Sequence, residues 1–264
     1  MVVFAFVNHK GGVGKTSSAL FLANYLALNN HKILAIDLDP QANFSLASNS
    51  QPNLMGSFDL LARGASIEDC IQIISPFYHL ISADAELSAA DEFISPSKSM
   101  DKRAVLLKNA LKKVDGEYDF VIIDTPPHLR ILVANALAAA NKVIIPAAAD
   151  VFSSNGLIQL LNFIDDIKAA VNPSLIVDGI LLTRYKSNSN FSKRMLEIYE
   201  EIAKKSHTRL YKSQIRESVK VSEATALQLP LLTYLGGGTK VCKDYLDFVN
   251  EVFEVDNNGK AEKL

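Results

Sequence analysis

The segment that most constrains this chain is its first thirty residues. An apolar run, Val2–Val7, leads into Asn8-His9-Lys10-Gly11-Gly12-Val13-Gly14-Lys15-Thr16-Ser17, and a helical pattern follows over Ser18–Asn29. A strand that turns through glycines into a helix must pack that helix back on its own sheet, which predicts parallel βαβ architecture. The loop also has a chemistry. Glycines let backbone N–H groups turn inward around an anion, and the helix N-terminus adds the positive end of its dipole. Such a cradle suits phosphate, with Lys15 reaching the β- and γ-phosphates and the Thr16 hydroxyl ligating Mg²⁺. The general pattern G-x-x-x-x-G-K-[ST] requires glycine at position 9, where this chain has His9; a second lysine, Lys10, follows it.

Further β-rich runs recur at Ile33–Asp37, His79–Ser82, Phe120–Asp124, Val143–Ala147, Ile176–Thr183 and Leu210–Ile215. Between them lie amphipathic stretches, Lys15–Asn29, Lys102–Val114, Asn155–Ala170 and Ser192–Lys204. This alternation predicts a single doubly wound α/β domain, its mostly parallel sheet covered by helices on both faces, spanning residues 1–255. A polar tail, Asp256–Leu264, follows. With 264 residues, 48% hydrophobic and 21% charged, the composition excludes disordered, collagen-like and disulfide-rich classes. Cys70 and Cys242 are isolated, with no spacing suited to zinc and a usage that fits a reducing cytosol. The most apolar stretch, Ile131–Ala149, is interrupted by Asn135, Asn141 and Lys142, short of the about 18 apolar residues a membrane span needs. No signal peptide is expected from the opening residues.

Two further motifs fall at strand ends, where ligands of such sheets bind. Ile36-Asp37-Leu38-Asp39-Pro40-Gln41 closes the second apolar run with paired carboxylates. Phe120–Ile123 ends in Asp124-Thr125-Pro126-Pro127, an apolar strand delivering a carboxylate suited to holding Mg²⁺, usually through water. The two prolines stiffen a segment placed to sense a γ-phosphate. No serine lies in a G-x-S-x-G elbow, and the five histidines have no repeated spacing, so nucleophilic triads and redox sites lack support.

The loop KGGVGKT, with DLDPQ and DTPP, resembles the deviant Walker A loop and partner motifs of the ParA/Soj/MinD ATPases, a P-loop NTPase family. The resemblance runs from Val2 to about Phe253 and implies an ATPase with ATP and Mg²⁺ bound over Lys10, Gly11, Gly12, Val13, Gly14, Lys15, Thr16 and Ser17. It implies that Lys10 reaches across a homodimer to the partner's phosphates, so that hydrolysis is weak in one subunit and depends on dimerisation. Asp39 then positions the attacking water and, with Thr16 and Asp124, belongs to the metal site; Asp37 supports the Mg²⁺ shell or the loop. Asp150 stands where the family often has a glutamate reaching the partner's nucleotide, and a helix-capping role has comparable standing. His128 follows the prolines where many relatives carry serine.

The chain's net charge of −2 speaks against a nucleic acid partner, but its distribution does not. Arg184–Lys220 holds ten basic and four acidic residues, a net of +6, against −8 elsewhere, the footprint of a phosphate-backbone binder or of a solvated helical face. Ile215-Arg216-Glu217-Ser218-Val219-Lys220-Val221-Ser222-Glu223-Ala224 is similar to the family segment I-P-R-x-V-R-x-S-E-A, which favours nonspecific DNA. Arg216 replaces the proline of the adenine-side wall, Glu217 the first arginine, and Lys220 the second. The DNA candidates are Arg184, Lys186, Arg216, Lys220 and Lys240, with Lys193 and Arg194 as outer ones. The first strand begins at residue 2, so the expectation is the short ParA/Soj type, cytoplasmic and nucleoid-associated. It would partition a plasmid or chromosome with a ParB-like centromere-binding or adaptor protein. Three rivals stand beside this. A positioning ATPase with a protein cargo shares every motif. A MinD-like membrane ATPase needs a basic C-terminal amphipathic helix, whereas Tyr245–Glu254 is acidic, so no membrane partner is expected. An iron-protein reductase needs cysteines near the switch segments.

Overall fold

In a computed structural model, residues 1–52, 54–94, 99–149, 153–186, 190–227, 229 and 231–253 are described, 153–155, 225 and 226 as backbone alone. The strands are β1 (Val2–Phe6), β2 (Ile33–Asp37), β3 (Gln72–Ser75), β4 (Tyr78–Ile81), β5 (Phe120–Asp124), β6 (Lys142–Ala148), β7 (Ile176–Tyr185) and β8 (Leu210–Arg216). They form one sheet in the order β3-β4-β2-β5-β1-β6-β7-β8. Every pairing is parallel except β3 on β4.

Alternation along the strands divides the interior into two layers. Val3, Ala5, Ile36, Val121 and Ile145 face one side, packed on the helices Ile131–Ala139 and Ser153–Ala170. Phe4, Phe6, Ile33, Ile122 and Ile144 face the other, against Lys15–Leu28 and Lys240–Phe253. Both faces are therefore dry, which is why the strands read as unbroken apolar runs.

Two elements differ from the sequence expectation. β3 was not anticipated; its antiparallel pairing slips between Ile73 and Ser75, and Ile73 is 72% exposed at the sheet's outer edge. The stretch expected as one helix over Lys102–Val114 is three short pieces, Met100–Ala104, Leu106–Leu111 and Lys112–Val114. The first break has a visible cause. Asn135, buried on the neighbouring helix, accepts the Leu107 N–H at 3.1 Å and donates to the Arg103 carbonyl at 2.9 Å, replacing backbone bonds that would carry the helix through Val105. No helix among the described residues is long and apolar enough to cross a membrane.

Register positions the site. Phe6, Asp37 and Asp124 are aligned Cα partners across β1, β5 and β2, so three central strands end at one level. The order in which strands are added reverses around β1, with β5 on one side and β6 on the other, both parallel to it, and this is where a parallel sheet opens a crevice.

Candidate functional site

The loop after β1 is tied down from three directions. Asn8 donates from Nδ2 to the Pro146 carbonyl at 2.6 Å, and its Oδ1 accepts the Lys10 N–H at 2.9 Å. Thr183, at the end of β7, donates to the Val13 carbonyl at 2.8 Å. Gly12 and Gly14 have φ of 72° and 81°, a conformation that side-chain-bearing residues adopt only at a cost. The helix Lys15–Leu28 begins directly after Gly14 with no side-chain cap, which leaves its first N–H groups for an anion.

Lys15 lies against the loop at 6% exposure, its Nζ donating to the Lys10 carbonyl at 3.0 Å. Burial pushes its ammonium below the usual value, against the opposing pull of Asp124 and Asp39. Thr16 donates to Asp124 Oδ2 at 2.6 Å. Asp124 is fully buried, and its other oxygen, Oδ1, has no hydrogen-bond partner. Burial, and then the neighbouring Asp37 carboxylate, hold its pKa well above the ordinary range.

A buried acid with one idle oxygen, beside a threonine hydroxyl at the start of a phosphate-binding helix, fits a cation that it does not enclose alone. Among the described residues no three His, Cys, Asp or Glu converge on a metal position. That donor set suits Mg²⁺, which keeps water and substrate phosphates in its shell.

The two aspartates of β2 have separate tasks. Asp37 Oδ1 accepts the Asp39 N–H at 3.0 Å, while Oδ2 accepts the Ser45 N–H at 2.8 Å and its hydroxyl at 2.7 Å. Burial pushes its pKa up to about 6. Asp37 thus shapes the loop. Asp39 is partly exposed, accepts the Gln41 N–H at 3.0 Å, and lines the cleft.

That cleft, of about 710 Å³, runs from Gly11–Ser17 past Pro127 to Ile215, Arg216, Val221 and Ser222. Its outer rim is charged. Glu217 accepts Arg184 Nη2 at 3.0 Å and pairs with Lys186 Nζ at 2.8 Å. Arg216 makes a two-pronged bridge to Asp244, both contacts 2.6 Å. Lys220 and Lys240 are exposed and share a shallow depression with Arg216 and Glu217. Asp150 lies outside the described residues. Thr183 and Asp244 shape the site and were not anticipated, since each acts through the fold with no motif to mark it, whereas Asn8 and Glu217 stood in the quoted motifs without their bonding partners being visible.

Fold and cleft together define a nucleotide-binding α/β protein with a glycine-rich phosphate loop. A family model described as an AAA domain matches residues 1–177. The chain is 35% identical over 229 residues to the chromosome-partitioning ATPase Soj of Treponema pallidum, covering 87% of this chain and 88% of that one. It is 33% identical over 253 residues to the sporulation initiation inhibitor protein Soj of Bacillus subtilis, covering 95% and 97%. It belongs to the ParA/Soj family of partition ATPases. Among solved structures, apo McdA of Cyanothece superposes with a TM-score of 0.84 at 26% identity, covering 96% of this chain and 99% of that chain. Cobyrinic acid a,c-diamide synthase of Mycobacterium smegmatis, solved with an ATP analogue and magnesium, gives 0.77 at 27%, covering 95% and 93%.

Proposed function

We propose that this chain, as one domain over residues 1–255, is an ATP-hydrolysing dimer switch that holds nonspecific DNA in its ATP state and moves a plasmid or chromosome. The observation that carries this is the common level of the β1, β2 and β5 ends, which gathers Lys15, Thr16 and Asp39 on one cleft with the buried Asp124 bonded to Thr16 behind it. ATP lies with its phosphates against Gly11–Ser17 and its base toward Ile215 and Arg216. Lys15 holds the β- and γ-phosphates. Thr16 and Asp124 hold Mg²⁺, and Asp39 joins them on the side of the attacking water. Bound there, the ion neutralises charge building on the phosphates. Asp39 orients the water. Lys10 crosses to the partner subunit's phosphates and supplies the charge that an arginine finger gives related enzymes. Asp150 serves either that nucleotide or the helix after it. DNA lies on Lys220 and Lys240, with Arg184, Lys186 and Arg216 beside them, and a ParB-like partner stimulates hydrolysis.

The chromosome-partitioning name of the 35% identical relative supports a DNA cargo over a protein cargo. Phosphate release measured across protein concentrations tests the switch. Specific activity rises with concentration, and Lys10→Ala keeps ATP binding while losing turnover. Specific activity that is independent of concentration and untouched by Lys10→Ala overturns it.

A further inference from the structure

Glu217 sits where an acid is least expected. It lines the phosphate cleft and also the shallow depression that carries Lys220 and Lys240, where it is the only acid among the described lining residues. Its carboxylate reaches two cations brought by a different strand, Arg184 within β7 and Lys186 just beyond it. All three side chains are well exposed, at 57%, 67% and 38% for Arg184, Lys186 and Glu217. Ion pairs this exposed add little to fold stability, so the sheet does not need this acid to hold its edge. Asp244 neutralises the remaining cleft-side cation, Arg216. Lys220 and Lys240 are then the rim cations with no acid in bridging distance among the described residues.

We propose that Glu217 is a charge brake on this rim, holding Arg184 and Lys186 away from the phosphate backbone of DNA so that one nucleotide-free subunit binds DNA too weakly to stay. The proposal rests on the reading that this rim faces DNA. Its physical basis is the dependence of nucleic acid affinity on the number of phosphates neutralised. Two lysines make a small footprint. Two subunits closed over ATP double it on one surface, and the second set binds at high effective concentration. With Glu217 neutral, a single subunit presents four cations and no longer waits for its partner. The acid thereby enforces the nucleotide dependence of binding.

The test is fluorescence polarisation of a labelled random-sequence duplex with the full chain, at two salt concentrations, without nucleotide and with ATP and Mg²⁺. Glu217→Gln should tighten nucleotide-free binding by about tenfold, with a salt slope steeper by about one to two, as one or two more phosphates are neutralised. Adding Lys186→Ala to Glu217→Gln should reverse much of the gain, and the melting temperature of Glu217→Gln should match the wild type. If ATP-bound wild type holds DNA but Glu217→Gln leaves nucleotide-free binding unchanged, the brake is wrong and the DNA reading stands. A gain that Lys186→Ala does not reduce also overturns the brake, since the released Lys186 is then not the group that meets the phosphates. Absence of DNA binding by both proteins in every nucleotide state overturns the DNA reading itself.

Discussion

The phosphate loop and the β7–β8 rim are two edges of one cleft, built on opposite principles. Around the loop several polar groups, buried or part-buried, are fixed by short bonds to elements that must be there for the fold to exist. Asn8 ties to β6, Thr183 to the loop, Thr16 to Asp124. On the rim Arg184 and Lys186 pair with Glu217, all three exposed, and Arg216 with the part-buried Asp244, while Lys220 and Lys240 have no acid in bridging distance among the described residues. Buried groups without their intended partner carry a large free-energy penalty, whereas exposed pairs exchange partners at little cost. The loop edge is therefore suited to discriminate ligands and the rim to respond to them.

Substitutions can break that contrast, and the largest effect belongs to the loop. Lys15→Ala should lower phosphate release by about 10²–10³-fold, the scale of losing one charge-stabilising donor in a preorganised site. Turnover within tenfold of the wild type would remove Lys15 from the phosphates. Asp124→Asn should abolish Mg²⁺-dependent turnover while raising the melting temperature of the ligand-free protein. Relief of about 1 kcal/mol of repulsion corresponds to roughly 2–4 °C in a chain of this size.

The pH dependence gives that prediction its sign. Asp37, at about 6 in the fold against an ordinary 3.8, and Asp124, also raised, bind protons more tightly folded than unfolded. Their contribution is fully present below pH 3.8 and is lost as pH rises through the folded values. The melting temperatures of wild type and Asp124→Asn should consequently lie closer together at pH 5 than at pH 8; a gap that widens on acidification contradicts the assignment. The smallest effect belongs to the rim. Lys220→Glu should weaken DNA binding several-fold at low salt and little at high salt, with ATP affinity unchanged. Equal loss of ATP affinity would show that the two edges are not separable.

The same contrast explains what was legible in the sequence. KGGVGKT, DLDPQ and DTPP could be read because each is a local strand-to-loop transition, and a parallel sheet delivers its strand ends to one level without further instruction. Asp37 was legible as a support of either the Mg²⁺ shell or the loop, but the choice between them was not, because it is set by Ser45, eight residues on and in another element. The +6 over Arg184–Lys220 overstated the rim's positive charge. Arg216 and Arg209 are matched by Asp244 and Asp178, which lie outside that window in sequence and against it in space. The broken helix after Met100 was hidden for a related reason. Asn135 stands out in the chain as a polar interruption of an apolar run, yet its hydrogen bonds, not its polarity, set its neighbour's geometry. β3 is as short as β4 but, unlike β4, is not buried along its length and carries an exposed isoleucine, so no apolar run marks it.

DNA co-sedimentation with ATP, ADP or no nucleotide, each with Mg²⁺ and at low and high salt, joins the two edges in one assay. A phosphate loop that switches and a rim that responds predict that DNA retains the protein with ATP alone, and that high salt releases it. Equal retention in all three nucleotide states would contradict the account at its centre.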